Sequence, residues 1–280
     1  MLLASILLAA TLRQQLAAIV QPLGSTAGIA VVDLPGGTRT LVRGDERFPM
    51  GSVYKLPIAL TVLRQVDEGK VFLTDDATIT PDRFAPGWSP LRDAANGKPI
   101  KTTVGALLQQ MVSVSDNTAS DYLLDLAGGG PVVTKRMREL GVQNIRIDRR
   151  ERDIAADIEA KGAKAYVKDV RDTATPAAMA DLLVKLAKSE DGLSAESHEV
   201  LLRAMTETKT GLNRIRAGIP AEAQLAHKTG SMPLVINDAG LITKPDGRQL
   251  VLVVFTKGGK ATDEAREAAI AKIARAAYSM

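Results

Sequence analysis

Segments with strand character occur in this chain only near its two ends. Residues 27–34 (AGIAVVDL) and 38–43 (TRTLVR) flank the turn Pro35-Gly36-Gly37. Near the other end, residues 223–231 (AQLAHKTGS) and 236–258 (INDAGLITKPDGRQLVLVVFTKG, with its Pro-Asp-Gly turn) read as strands, followed by a helix from about Thr262 to Ala277. Between them apolar residues recur at helical spacing in residues 102–115, 118–128, 131–141, 175–190 and 194–207, several of these stretches opening on Thr, Ser or Pro and closing on Gly. Terminal strands can share a sheet only if the two ends of the chain meet and the helical middle is an insertion. The expected fold class is therefore α/β in the α+β sense: an antiparallel sheet flanked by helices from the two chain ends, with an inserted all-helical domain. The boundaries are 11–44 and 206–280 for the α/β domain and 45–205 for the all-helical one. A functional site belongs in the cleft between them. Residues 148–174, dense in charge, break the helical pattern and read as a long loop of a kind that is usually functional or mobile.

Composition narrows the chemistry. A net charge of +4 is spread over the chain without a long basic run, and with four Phe, four Tyr and one Trp nothing suggests nucleic-acid binding. The absence of cysteine removes disulfides, thiolate catalysis and cysteine-ligated metal, and two histidines, His198 and His227, are too few for a histidine-rich metal site. The opening MLLASILLAA, residues 1–10, reads as the end of a secretory signal, although it lacks the basic leader such a signal carries. The alternative is a first helical turn packed on the domain. The stretch is too short to span a bilayer and has no cysteine for a lipid anchor, so no stable membrane association is expected.

Three short motifs stand out. In PMGSVYKLPIAL, residues 49–60, Ser52 and Lys55 sit three apart at a helix start and so share a face near its positive end. Ser52 there either caps the helix while Lys55 reaches to water, or is a nucleophile whose proton Lys55 helps remove. Ser115-Asp116-Asn117 joins two helices, as any turn of good capping residues does. Lys228-Thr229-Gly230-Ser231 ends a strand; His227 beside it faces the opposite way by alternation and is assigned no chemistry.

Taken together and in this order, the three motifs resemble those of the class A serine β-lactamases, within the penicillin-recognising serine hydrolases. The resemblance extends over nearly the whole chain through Trp88-Ser89-Pro90, Arg149 with Glu151, Arg171-Asp172, NRIRAGIP at 213–220 and INDAGLI at 236–242. It implies hydrolysis of a β-lactam through an acyl-enzyme, antibiotic resistance, and neither metal nor cofactor. Ser52 would be the nucleophile, with the backbone N–H groups of Ser52 and Ser231 as oxyanion hole. Lys55 is a candidate base, in competition with the loop glutamate. Ser115 would protonate the leaving nitrogen, with Lys228 alongside. Asn117 would meet the substrate's side-chain carbonyl, while Thr229, Gly230, Ser231 and Arg214 would serve its carboxylate; Arg216 is the rival to Arg214. Trp88 would stand at the rim and stack on ligand.

In this family the loop glutamate, here Glu151, activates the water that releases the acyl group, and Arg149 would pair with Asp172 across the loop base. The sequence departs from the pattern around it. Ala155 stands where an asparagine usually helps to hold the water, Arg152 replaces a proline, and the loop is longer by about two helical turns. Asp153, Asp157 or Glu159 are therefore alternative carriers of the Glu151 role. The rival functions are a D,D-peptidase or penicillin-binding protein and a β-lactam-binding sensor with slow turnover. A periplasmic or secreted monomer acting on a small molecule completes the expectation.

Overall fold

The structure, a computed structural model, describes residues 2–280, with side chains from Thr11 onward. Helix α1 (Leu2–Val20) leads into strands β1 (Thr26–Asp33), β2 (Arg39–Val42) and β3 (Phe48–Pro49). A 3-10 turn, Gly51–Tyr54, then runs directly into α2 (Lys55–Asp67). Next come β4 (Asp76–Ile79), α3 (Pro90–Ala95), β5 (Ile100–Thr103), α4 (Val104–Gln109), α5 (Asn117–Leu126) and α6 (Gly130–Glu139). Helices α7 (Glu151–Lys161) and α8 (Ala163–Tyr166), strand β6 (Thr173–Ala174), and helices α9 (Pro176–Ala187), α10 (Ala195–Thr206) and α11 (Ile215–Gly218) complete the middle. Strands β7 (Gln224–Met232), β8 (Val235–Thr243) and β9 (Gln249–Lys257) and helix α12 (Asp263–Tyr278) close the chain.

The two ends meet in one antiparallel sheet of order β2-β1-β9-β8-β7, with Ile29 opposite Val254 and Lys228 opposite Ala239. Alternation along β1 splits its side chains between two cores. Ile29 and Val31 join Leu252 and Val254 under Leu12 and Leu16 of α1 and Ile270 and Ile273 of α12. Ala30 and Val32 face the other way, with Val251, Val253 and Phe255, into a larger core continuous with α2, α5 and α9. Apolar residues are thus needed on both faces, which is why LVLVVF in β9 is an unbroken apolar run. The expected fold class is the observed one.

The middle of the chain differs from an all-helical reading in two places. Short ladders β3–β6 and β4–β5 lie within it, with two and four residue pairs respectively. Strands so short carry no legible alternation. The region read as a loop holds α7 and α8 instead. Helix α7 has a narrow apolar stripe, and its first turn is fastened from outside: Asp121 on α5 accepts the backbone N–H of Glu151 at 2.6 Å and of Arg152 at 3.3 Å. At the chain start α1 is helical from Leu2, and the side chains of the leader-like residues 1–10 lie outside the described ones. Among the described residues no helix is long and apolar enough to cross a membrane.

Candidate active site

The turn carrying Ser52 is held against the sheet. Asn237 on β8 donates from Nδ2 to the carbonyls of Pro49 at 2.8 Å and Met50 at 3.0 Å, while its Oδ1 accepts from the Thr256 amide at 2.8 Å. Gly51 takes a left-handed conformation at φ 51°, which a side chain would resist. A Cβ on Gly51 would lie 3.3 Å from the Ser231 nitrogen, and one on Gly230 would lie 3.2 Å from the Ser52 nitrogen and strike the Met50 carbonyl. Glycine on both sides lets the amides of Ser52 and Ser231 approach one spot. Asn237 was not singled out by the sequence reading; it lies within INDAGLI, quoted only for its likeness.

Ser115 reaches the same place by a different device. Helix α4 widens into a π-helical turn, Gln110–Val114, and Ser115 then adopts φ 65°. Such turns favour functional sites because they re-aim a side chain. Asp116 fixes the arrangement by capping α5 at the Ala119 amide (2.9 Å) and accepting from Ser89 Oγ (3.0 Å) and the Leu91 amide (2.8 Å). Trp88 stands at the rim, 60% exposed, with its indole N–H on the Val114 carbonyl at 2.8 Å.

Two fully buried lysines converge on Ser115. Lys55 Nζ donates to the Ser115 carbonyl (2.8 Å) and to Asn117 Oδ1 (2.8 Å), and it lies 3.1 Å from Glu151 Oε1. Lys228 Nζ donates to Ser115 Oγ at 2.8 Å and to the Thr229 carbonyl at 3.1 Å. Burial holds the Lys228 pKa well below the usual lysine range, and the charge of Lys55 pushes it the same way. Glu151 is the carboxylate beside Lys55. Its Oε1 is buried and accepts no aligned hydrogen bond, which leaves a carboxylate lone pair free at the wall of the site.

The side around Arg214 is equally specific. Arg214 is buried, donating from Nη2 to Ser231 Oγ (2.7 Å) and from Nη1 to the Asn237 carbonyl (2.9 Å), with Nε on Glu267 at 3.1 Å. Arg216 turns away onto the carbonyls of Ala223, Ile219 and Pro220. Thr229 shares a hydrogen bond with Thr210, a neighbour the sequence reading had not named. His227 is buried on the opposite side of β7 from Lys228 and bonds Asp238 at 2.8 Å.

At the base of the loop Arg149 donates from Nε to Asp172 Oδ2 at 2.6 Å, and Nη1 also reaches Asp157 at 2.6 Å and Asp169 at 3.2 Å. Asp153 is occupied by Arg150 at 3.0 Å and Asp157 further by Lys161 and Arg171. Of the acidic alternatives to Glu151 only Glu159 lines the pocket, together with Ala155. Arg152, at the family's proline position, pairs with Asp121 at 3.0 Å.

Asp121 is a further residue that sequence reasoning missed. Its one signal is the i+4 spacing from Asn117 on the same helix face. Burial raises its pKa to about 6, against the pull of Arg152 and the two α7 amides. Because the folded state holds this proton more tightly than the unfolded chain, Asp121 costs stability as pH rises from about 4 to about 6. Asp121→Asn, which cannot ionise, should therefore gain on the parent by on the order of 2 kcal/mol across that window and stay level above it. Urea denaturation of both proteins at several pH values checks this; a difference that does not change with pH refutes it.

A pocket of about 760 Å³ opens here, bounded by Ser52, Trp88, Ser115, Asn117, Glu151, Lys209, Thr229, Ser231 and Met232 among others. Comparison with known proteins agrees with the geometry. The family model described as "Beta-lactamase enzyme family" matches residues 11–280. The extended-spectrum beta-lactamase PER-1 of Pseudomonas aeruginosa is 32% identical over 95% of this chain and 86% of its own length. Beta-lactamase VEB-1 of the same organism is 32% identical over 90% and 84%. A beta-lactamase crystal structure from Chitinophaga pinensis superposes with a TM-score of 0.89 at 34% identity, covering 96% of this chain and 98% of that one. An ancestral class A beta-lactamase gives 0.87 at 34%, covering 96% and 99%.

Proposed function

The chain belongs to the beta-lactamase enzyme family as a class A member, a hydrolase of β-lactams, and we propose that it works through a Ser52 acyl-enzyme released by water that Glu151 activates. Ser52 Oγ attacks the lactam carbonyl as its proton passes through Lys55 toward Glu151, and the amides of Ser52 and Ser231 receive the oxyanion. The C–N bond breaks, with Ser115, its hydroxyl held by Lys228, protonating the nitrogen and regaining a proton from Glu151 by way of Lys55. Glu151, again a carboxylate, takes a proton from water as the water oxygen adds to the acyl carbon, and the bond to Ser52 then breaks as that proton returns to Ser52 Oγ through Lys55, which releases the open acid. The single observation that carries this reading is the approach of Glu151 Oε1 to Lys55 Nζ, 3.1 Å inside a buried wall shared with Ser52. A penicillin-binding protein has no use for such a carboxylate. Intact mass after mixing with benzylpenicillin tests the reading: a turnover enzyme returns to its free mass, whereas a persistent adduct would favour the sensor, which Ala155 at the pocket wall keeps in view. The leader-like residues 1–10 support export to the periplasm or beyond.

Arg214 is assigned to the substrate carboxylate, since it joins Ser231 while Arg216 serves backbone carbonyls. Loss of one charge-assisted contact is expected to raise KM by roughly tenfold or more in Arg214→Ala, with a smaller change in kcat. Steady-state kinetics decides it. A raised KM in Arg216→Ala and not in Arg214→Ala would transfer the role.

A further inference from the structure

Helix α7 presents one face to the pocket. Glu151, Ala155, Ile158 and Glu159, at spacings of four, seven and eight residues, all line it. The pocket is also lined by Met232, the last residue of the strand that carries Lys228, and by Pro233 just past it. Ile158 and Met232 pack on the same small cluster of Ile154, Tyr166 and Val235, so this end of the pocket is closed by apolar side chains. The far end is lined by Lys209, Thr210, Gly211 and Thr229, with Arg214 joined to Ser231 beside them. The pocket is therefore basic around Lys209 and apolar, with one exposed carboxylate, along α7.

Two carboxylates line this pocket, and they differ in their surroundings. Glu151 is buried against Lys55. Glu159 is exposed, and among the described residues its side chain makes no hydrogen bond or ion pair. Its charge is offered to whatever enters. Resting on the hydrolase reading, we propose that Glu159 is a specificity residue that favours β-lactams whose acyl side chain carries an ammonium group over those carrying a carboxylate. The substrate matched by both ends is a zwitterion: its ring carboxylate faces Lys209 and Arg214, and its side-chain cation faces Glu159. Across an exposed surface such a contact is modest, and salt weakens it.

Three penicillins with one phenylacetyl core separate the effect: benzylpenicillin, ampicillin with an α-ammonium, and carbenicillin with an α-carboxylate. The readout is each compound's kcat/KM relative to benzylpenicillin on the same enzyme, at a pH of about 6 where the amine is protonated. Ratios taken within one enzyme cancel any titration of the protein itself. In Glu159→Gln the ampicillin-to-carbenicillin ratio should fall by about three- to tenfold, and in Glu159→Lys further still. About 0.5 M NaCl should move the parental ratio toward that of Glu159→Gln. A merely structural role would scale all three substrates together and leave the ratios fixed, which overturns the proposal. If the parent does not hydrolyse benzylpenicillin, the hydrolase reading falls and this one with it; fixed ratios alongside intact hydrolysis overturn this one alone.

Discussion

Lys55→Ala is expected to lower kcat/KM for a good penicillin by about a thousandfold or more, through failure of acylation, and Ser52→Ala to remove covalent labelling altogether. The reason lies in burial. Lys55 is the basic group between the Ser115 carbonyl, Asn117 and Glu151 in a buried wall, and no other described basic side chain joins Glu151 there. Without it the Ser52 proton has no path to the carboxylate, and the Asn117 amide keeps only its bond to the Pro86 carbonyl. Truncation also leaves Glu151 buried and unpaired, a change that typically costs about 3–5 kcal/mol. Thermal melting and circular dichroism must accompany the kinetics. Ser52→Ala carries no such burden and separates chemistry from fold. A Lys55→Ala protein that is folded and acylates at the parental rate would remove Lys55 from the mechanism.

The parts of this protein that were readable in its sequence are those whose physics is local. Short apolar stretches bounded by turn residues, AGIAVVDL and the run of β9, announced a sheet, and Ser52, Ser115 and Lys228 were marked by motifs of fixed spacing. What could not be read depends on partners distant along the chain. Helix α7 looked like a charged loop because its stripe is narrow and its first turn is fastened by Asp121, thirty positions earlier. Asp121 itself looked like an ordinary polar member of α5. The choice between Arg214 and Arg216 could not be made from NRIRAGIP, since both arginines stand at the start of a four-residue helix and only contact with Ser231 separates them. Asn237 gave no signal of its own, because clamping the Pro49 and Met50 carbonyls is a property of where β8 ends up. The motifs name the reacting groups, whereas the residues that aim them become visible only once the chain is folded.

Glu151→Ala is expected to convert the enzyme into one that labels and stalls, with an acyl adduct on Ser52 accumulating as deacylation slows by about a hundredfold or more. Acylation should suffer less, because Lys55 and Ser115 remain, although the loss of the proton's destination will slow it too. Around Glu151 the wall is unusual: Ala155 supplies no amide beside the carboxylate, and Asp121 holds the helix start in place of any proline at Arg152. A hydrolytic water at Glu151 thus has fewer side-chain partners than the family pattern provides, so Ala155→Asn should leave turnover level or raise it. Time-resolved mass spectrometry with benzylpenicillin reads both variants. Parental turnover by Glu151→Ala with no adduct would mean that another carboxylate activates the water. Glu159 would then be the first to test, since Asp153 and Asp157 are already held by Arg150 and Arg149. An adduct that persists in Glu151→Ala and clears in the parent places the deacylating base on the first turn of α7.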